Sequence, residues 1–244
     1  MTDAAAAPVL ELDGLTAGYD HAAVIRDVSL TVGRGEVVAL LGANGAGKTT
    51  TLRTISGVVR PMSGQVRYDG HDLASVSPPN RARLGIAHVP DGRGLFYGLT
   101  VAEHFRLRYQ GEKLDPDVAF AHFPALAELR GRRAGLLSGG EQQMLAVGRT
   151  LARRPQLMLL DELSLGLAPV IVERLLPVVR EYAKESGCAV LLVEQHINLA
   201  LECADRGYVL AHGEIALTDD AEVLRGDRDL LVSSYLGEKA KVTT

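Results

Sequence analysis

The sequence predicts an α/β fold with a mixed, mostly parallel β-sheet. Short apolar runs alternate along the chain with stretches of helical periodicity, which is typical of repeated strand–helix units. Three of these runs, Val37–Leu41, Leu157–Leu160 and Ala189–Val193, have the length and composition of strands buried on both faces. A glycine-rich segment directly after the first run, opening a helical stretch, supports the same class.

The N-terminal part predicts a separate antiparallel β subdomain. Apolar residues alternate at Val9–Leu15 and Val28–Val32, as expected for strands with one buried face. A helix is expected from about Lys48 to Gly57, and a further strand at Gln65–Tyr68.

The middle of the chain has a different character. From about Leu99 to Leu136 the sequence is charged and helix-like, with Pro116 and Pro124 as expected breakers. We therefore predict an inserted helical subdomain. The expected organisation is one domain over residues 1–244, with a disordered lead-in at 1–7, a core at about 8–90 and 157–240, and the helical subdomain at about 91–156.

The C-terminal part of the chain is expected to contribute further helices and strands to the core. Apolar pairs at helical spacing predict a helix at Val170–Ser186, with a possible kink at Pro177 and an end at Gly187. Tyr208–Ala211 and Glu214–Leu217 are expected to form a hairpin.

The composition and charge of the chain disfavour several classes of function. Hydrophobic residues make up 47% of the 244 residues and the formal net charge is −4, which does not favour a nucleic-acid-binding surface. No apolar run reaches the length of a membrane span, and no signal peptide is expected. Cys188 and Cys203 lie among apolar residues and are interpreted as core residues rather than a disulfide or metal site.

The glycine-rich segment from Gly42 to Thr49, GANGAGKT, matches the phosphate-loop pattern in full. Glycines let backbone amides approach an anion, and the following helix N-terminus favours negative charge. Lys48 is expected to neutralise the β- and γ-phosphates, and the Thr49 hydroxyl to bind Mg²⁺. The predicted nucleotide-binding residues are Gly42, Ala43, Asn44, Gly45, Ala46, Gly47, Lys48, Thr49 and Thr50.

Two carboxylates follow the buried run Leu157–Leu160. Ligands of open α/β sheets bind at the carboxyl ends of the strands. Asp161 is therefore predicted to reach the Mg²⁺ hydration shell, and Glu162 to orient and deprotonate the attacking water.

The segment Ser138, Gly139, Gly140 and Glu141 precedes an apolar-periodic helix and matches a capping box. One interpretation is that Ser138 serves only as that cap. Consecutive glycines also let amides approach a phosphate closely, and such a helix start can bind a nucleotide held by a second subunit.

The order of the phosphate loop, LSGGEQQ at Leu137–Gln143 and LMLLDE at Leu157–Glu162 resembles the nucleotide-binding subunit of ATP-binding cassette (ABC) transporters over essentially the whole chain. The resemblance implies two ATPase subunits packed head to tail, with ATP between each phosphate loop and the opposite LSGGE segment. It implies two membrane permeases as partners, docked near residues 91–100, and a peripheral location on the cytoplasmic face of the membrane. It also implies that Tyr19 stacks on adenine.

Three positions depart from the family pattern. Asp91 stands where the family has a Mg²⁺-sensing glutamine, and a carboxylate can still bind this ion. Leu163 replaces the usual proline after the acidic pair. The position of the switch histidine falls on Gln195, with His196 one residue further, so either side chain is a candidate for the γ-phosphate contact.

PDGRGLF, SLGLAP and VEQHINLALECADR are similar to one ATPase subunit of branched-chain amino acid importers. Those systems contain a sister ATPase, two permeases and an extracytoplasmic solute-binding protein. The resemblance favours ATP hydrolysis that powers import, with no nucleic acid partner. Alternatives are a poorly hydrolysing regulatory subunit, a different transported cargo, or an ATPase that acts on nucleic acid or a soluble assembly.

Overall fold

The computed structural model describes residues 7–108 and 112–227. The strands in these ranges are β1 (Leu10–Tyr19), β2 (Ala22–Val32), β3 (Val37–Leu41), β4 (Pro61–Tyr68), β5 (His71–Asp72), β6 (Ile86–Val89), β7 (Leu157–Asp161), β8 (Ala189–Glu194), β9 (Arg206–Ala211) and β10 (Glu214–Asp220). The α-helices are α1 (Lys48–Ile55), α2 (Pro78–Arg83), α3 (Val101–His104), α4 (Pro116–His122), α5 (Pro124–Glu128), α6 (Gly139–Leu151), α7 (Pro169–Ser186), α8 (Ile197–Cys203) and α9 (Ala221–Gly226), with a 3₁₀ turn at Ala134–Leu136.

The strands form two sheets. One is antiparallel and has the order β2-β1-β4-β5; the other has the order β10-β9-β3-β8-β7-β6. In the second sheet only β10 pairs antiparallel, with β9. The predicted α/β class, with an antiparallel part and a mixed, mostly parallel sheet, is confirmed.

Each face of the larger sheet has its own hydrophobic core. In β3, Val37, Ala39 and Leu41 pack in the cluster that contains the helices α3 to α9. Val38 and Leu40 point the other way, into the cluster shared with α1 and the antiparallel sheet. Because successive strand residues face opposite sides, a five-residue run buried throughout must lie between two layers. The all-apolar composition of β3, β7 and β8 follows from this position.

The helices α3 to α6 lie between β6 and β7 in the chain, as expected for an inserted helical part. No described helix runs through Pro116 or Pro124, and Pro124 separates α4, which ends at His122, from α5; each proline is also the first residue of a helix. Proline suits this position because the first helical N–H has no partner within the helix. The subdomain boundaries near 91 and 156 stay a prediction, since one hydrophobic cluster extends across both parts. Apart from Ala7, the predicted lead-in lies outside the described residues.

Other predictions differ in detail. β1 and β2 are longer than expected, because register shifts between Leu12 and Gly18 interrupt the alternation used to recognise them. The helix α7 continues through Pro177 and ends at Ser186, and Gly187 caps its C-terminus with a φ of 73°. Cys188 and Cys203 are buried free thiols, as predicted. Among the described helices, none combines the length and apolar character needed to cross a bilayer.

Candidate functional site

Parallel pairing brings four loops to one edge of the larger sheet. Leu41, the last residue of β3, lies beside Glu194, the last residue of β8. Asp161 ends β7 beside Val193, and β6 ends next to β7. The phosphate loop, the acidic pair, the Gln195–His196 pair and Asp91 therefore emerge at the same edge, where ligands of such sheets bind.

Two glycines of the phosphate loop are required by close packing. A Cβ at Gly42 would lie 2.4 Å from the carbonyl oxygen of Leu210. At Gly47 the φ of 111° is unfavourable for other residues, and a Cβ would lie 2.4 Å from Ile25. Gly47 is the N-cap of α1, so the phosphate loop leads directly into the helix. The first backbone N–H groups of a helix have no acceptor within it and point away from its N-terminal end.

Lys48 lies at the centre of this loop. Its ammonium donates to the carbonyl oxygens of Gly42 at 2.8 Å and Ala43 at 3.1 Å. It also lies 3.7 Å from Oε1 of Glu162. Burial lowers the pKa of Lys48, and the charges of Glu162 and Asp161 oppose that shift. The ammonium is therefore nearly buried yet surrounded by oxygen atoms, a position from which it can meet a phosphate.

Thr49 and Asp161 are in direct contact. The Thr49 hydroxyl donates to Oδ1 of Asp161 at 3.1 Å. Burial raises the pKa of Asp161 to about 6, with Asp91 and Glu162 acting in the same direction. A hydroxyl and a carboxylate side by side fit Mg²⁺, which takes few protein oxygens and completes its shell with phosphate and water. Within the described ranges, no group of three or more His, Cys, Asp or Glu side chains could hold a metal alone.

A cavity of about 180 Å³ lies over the loop. It is lined by Val24, Asn44, Gly45, Gly47, Lys48, Thr49, Thr50 and Glu162. Glu162 has a φ of 49°, an uncommon conformation for a residue other than glycine. The structure thus brings the predicted base, lysine and phosphate loop together around one space. Sequence reasoning missed Val24, since a single valine in a strand carries no functional signal.

Tyr19 and Asp91 lie further out. The Tyr19 hydroxyl accepts a hydrogen bond from Arg53 at 3.4 Å, and the Tyr19 side chain is 42% exposed. Asp91 is exposed, and its charge acts on Arg53 and Asp161. Neither residue lines the cavity over the phosphate loop.

The Ser138–Glu141 segment begins α6 and forms the predicted capping box. The Ser138 hydroxyl accepts from the backbone N of Glu141 at 3.3 Å, and the backbone N of Ser138 donates to Oε2 of Glu141 at 2.7 Å. A Cβ at Gly140 would lie 2.9 Å from Ile171, so packing alone explains that glycine. A Cβ at Gly139 would lie 3.3 Å from Leu167. None of these residues lines the cavity over the phosphate loop of the same chain.

Arg93 connects the loop after β6 to this helix. Its Nε donates to Oε1 of Gln143 at 2.9 Å and its Nη1 to Oε1 of Gln142 at 2.6 Å. Arg93 has a φ of 63°, which is unfavourable for a side chain of this size. The contact ties the start of α6 to the segment that carries Asp91, and no local sequence pattern indicated it.

The two candidates after β8 differ in burial. Gln195 is half-buried, whereas His196 is exposed and caps α8. Leu163, which follows the acidic pair, is fully buried. Glu194 is also buried, and it accepts hydrogen bonds from Ser164. Sequence reasoning missed Glu194, although a carboxylate at the end of an apolar strand is a signal that could have found it.

Comparison with known proteins identifies the family. The family model described as "ABC transporter" matches residues 25–164. The chain belongs to the ATP-binding subunits of ABC transporters. This ABC ATPase is an ATP-hydrolysing enzyme by membership of that family.

The ABC ATPase is 42% identical to the high-affinity branched-chain amino acid transport ATP-binding protein BraG of Pseudomonas aeruginosa, over 88% of this chain and 94% of that protein. It is 32% identical to the lipopolysaccharide export system ATP-binding protein LptB of Haemophilus influenzae, over 96% and 99%. A solved ATP-binding subunit of an ABC transporter superposes with a TM-score of 0.78 at 30% identity, covering 94% of this chain and 99% of that one.

Proposed function

We propose that this ABC ATPase powers the uptake of branched-chain or related amino acids through partner permeases, from the cytoplasmic face of the membrane. The single observation that supports this best is the 42% sequence identity to BraG, which extends over 88% of this chain and 94% of BraG. ABC ATPase subunits work as dimers with membrane permeases. The partner ATPase is proposed to be a second copy or a sister chain, and a solute-binding protein outside the membrane to deliver the cargo.

The phosphate loop is proposed to hold the triphosphate. Its backbone amides and the N-terminus of α1 favour the negative charge, and Lys48 neutralises the β- and γ-phosphates. The loop residues Gly42 to Thr50 share this role, and Tyr19 stacks on the adenine. Support comes from the buried Lys48 ammonium and the two glycines that packing requires.

Thr49 and Asp161 are proposed to hold Mg²⁺, with Asp91 as a further ligand, directly or through water. When bound, the ion neutralises charge that develops on the phosphates. Glu162 accepts the proton of the attacking water. Its place on the same cavity as Lys48 supports this role.

The Ser138–Glu141 segment is proposed to seal the nucleotide of the partner subunit in a head-to-tail pair. The capping box uses the backbone amides of Ser138 and Glu141. Those of Gly139 and Gly140 lie in the first turn of α6, where a backbone N–H has no acceptor within the helix. Ser138 is exposed and available to a partner. A second chain is needed because this segment does not line the cavity of its own subunit.

The permeases are proposed to dock on the loop between β6 and α3. Phe96 and Tyr97 in this loop are 59% and 54% exposed. Adjacent exposed aromatic side chains are typical of interaction surfaces. Arg93 in the same loop contacts α6, so docking there is physically connected to the nucleotide-sealing helix.

Lipopolysaccharide export is the second candidate, favoured by the match to LptB over 99% of its length. The lower identity, 32% against 42% for BraG, places it second. The formal net charge of −4 does not favour a nucleic-acid partner.

Purification from membranes tests the proposed function. The tagged subunit is expected to bring with it two permeases, and the complex in proteoliposomes to accumulate leucine, isoleucine or valine when MgATP is supplied. Co-purification with lipopolysaccharide-export components, or a complex that transports none of these amino acids, would reject amino-acid import. A Glu162→Gln complex serves as the matched inactive control.

The half-buried Gln195 is proposed to make the γ-phosphate contact, in preference to His196. Gln195→Ala is expected to lower kcat at least about tenfold, since a lost donor at a charge-developing oxygen is costly. His196→Ala should retain most of the rate because its side chain is exposed. Steady-state phosphate release at saturating MgATP compares the two. A loss confined to His196→Ala would assign the γ-phosphate contact to His196 instead.

A further inference from the structure

Glu194 is a buried carboxylate without a role in the function proposed above. It ends β8 and its side chain is only 1% exposed. Burial raises its pKa, and hydrogen bonds from Ser164 and from the backbone of Gln195 oppose the shift. A carboxylate is costly to bury unless its oxygens are hydrogen-bonded. The partners of Glu194 therefore indicate what it does.

Both oxygens of Glu194 bind one residue. The backbone N of Ser164 donates to Oε1 at 2.9 Å, and the Ser164 hydroxyl donates to Oε2 at 2.5 Å. Two hydrogen bonds to one planar carboxylate fix orientation as well as distance. Ser164 lies two residues after Glu162, and Leu163 between them is fully buried. The turn that carries Glu162 is thus anchored on Glu194.

Glu194 also belongs to the opposite side of the site. It directly precedes Gln195 and pairs in register with Leu41, the residue before the phosphate loop. Its charge acts on Lys48. One carboxylate therefore lies where the turn after β7, the segment after β8 and the phosphate loop converge.

We propose that Glu194 is a positioning residue for ATP hydrolysis, which holds the turn bearing Glu162 at a fixed distance from Gln195. This inference rests on the proposed roles of those two residues. A base displaced by about 1 Å can lose about a hundredfold in rate without any loss of nucleotide binding. The carboxylate of Glu194 acts through Ser164 and does not touch the nucleotide in this proposal.

Glu194→Leu removes both acceptors at similar volume. We expect kcat to fall at least about tenfold while the KM for ATP stays within about twofold. Glu194→Gln keeps one acceptor and adds a donor for the Ser164 hydroxyl, so kcat should recover to within about threefold of the wild type. Recovery by the amide is not expected if the substitution only perturbed the core. Glu202→Ala, an exposed carboxylate on α8, is the control and should leave turnover unchanged.

The Ser164→Ala variant supplies an independent arm, because it removes only the hydroxyl bond. It should lower kcat with KM unchanged, and adding it to Glu194→Leu should cause no further loss, since both act through one contact. If Glu194→Leu does not fold, Ser164→Ala and Glu194→Gln carry the test. Wild-type kcat in Glu194→Leu, or in Ser164→Ala where Glu194→Leu cannot be made, overturns the inference, as do additive losses.

The outcomes separate this inference from the proposed function. Glu162→Gln is measured in the same series. An inactive Glu162→Gln beside a fully active Glu194→Leu overturns only the positioning role. An active Glu162→Gln overturns the assignment of the base, on which the inference rests.

Discussion

Glu162→Gln is expected to abolish ATP turnover and to trap an ATP-bound dimer. Glutamine keeps the size of the side chain but cannot accept the proton of the attacking water. Binding should persist because Lys48 and the phosphate loop are unchanged. We expect kcat to fall at least about a hundredfold. Phosphate release measures turnover, and size-exclusion chromatography with MgATP measures the dimer.

The control for this change is Glu181→Gln, an exposed glutamate on α7 that alters charge equally. It should hydrolyse ATP at the wild-type rate and elute as a dimer only transiently. Undiminished phosphate release by Glu162→Gln would remove Glu162 from the role of base. A stable dimer that forms without nucleotide would contradict the proposed sealing of ATP between subunits.

Lys48→Ala is expected to weaken ATP binding by at least about tenfold, equivalent to about 1.4 kcal/mol. The Lys48 side chain is 4% exposed, and its ammonium lies within hydrogen-bonding distance of two carbonyl oxygens, so a bound phosphate would meet it with little competing water. The alanine variant also leaves Glu162 without its nearest cation, at 3.7 Å, which adds repulsion toward an anionic ligand. Titration calorimetry in the presence of Mg²⁺ gives the dissociation constant.

Arg225→Ala is the matched control, because it removes one positive charge from the exposed surface of α9. Its ATP affinity should equal that of the wild type. Equal affinity in Lys48→Ala would contradict the assignment of the phosphate loop. A similar loss in both variants would show that net charge, rather than the contact, governs binding.

The parts of the fold that were predictable are those in which a continuous apolar run marks a strand buried on both faces. β3, β7 and β8 lie between two layers, so their apolar runs were recognised to within one residue at each end. β1 was recognised only in part, since register shifts disrupt its alternation. The short helix α8 was missed because tertiary packing stabilises it, with Ala200 and Leu201 buried against the sheet, more than any local signal does.

The candidate site was likewise predictable where its residues are contiguous in sequence, and not where distant segments meet. The phosphate loop and acidic pair are contiguous in sequence, and the structure brings Lys48, Thr49, Asp161 and Glu162 together as the pattern indicated. Contacts between distant segments were not predictable, such as Arg93 with Gln143. They depend on how loops after different strands meet, and a single sequence holds no record of that pairing.

Glu162 has a left-handed backbone conformation, with a φ of 49°, that lowers the stability of the folded subunit while it holds the proposed catalytic base. Such a conformation costs a residue with a side chain about 1–3 kcal/mol, whereas glycine adopts it freely. A glycine at this position would relax the turn and erase the chemistry in one step. A substitution that removes catalysis at this position can therefore stabilise the fold, and a homologue without ATPase activity need not be less stable than this protein.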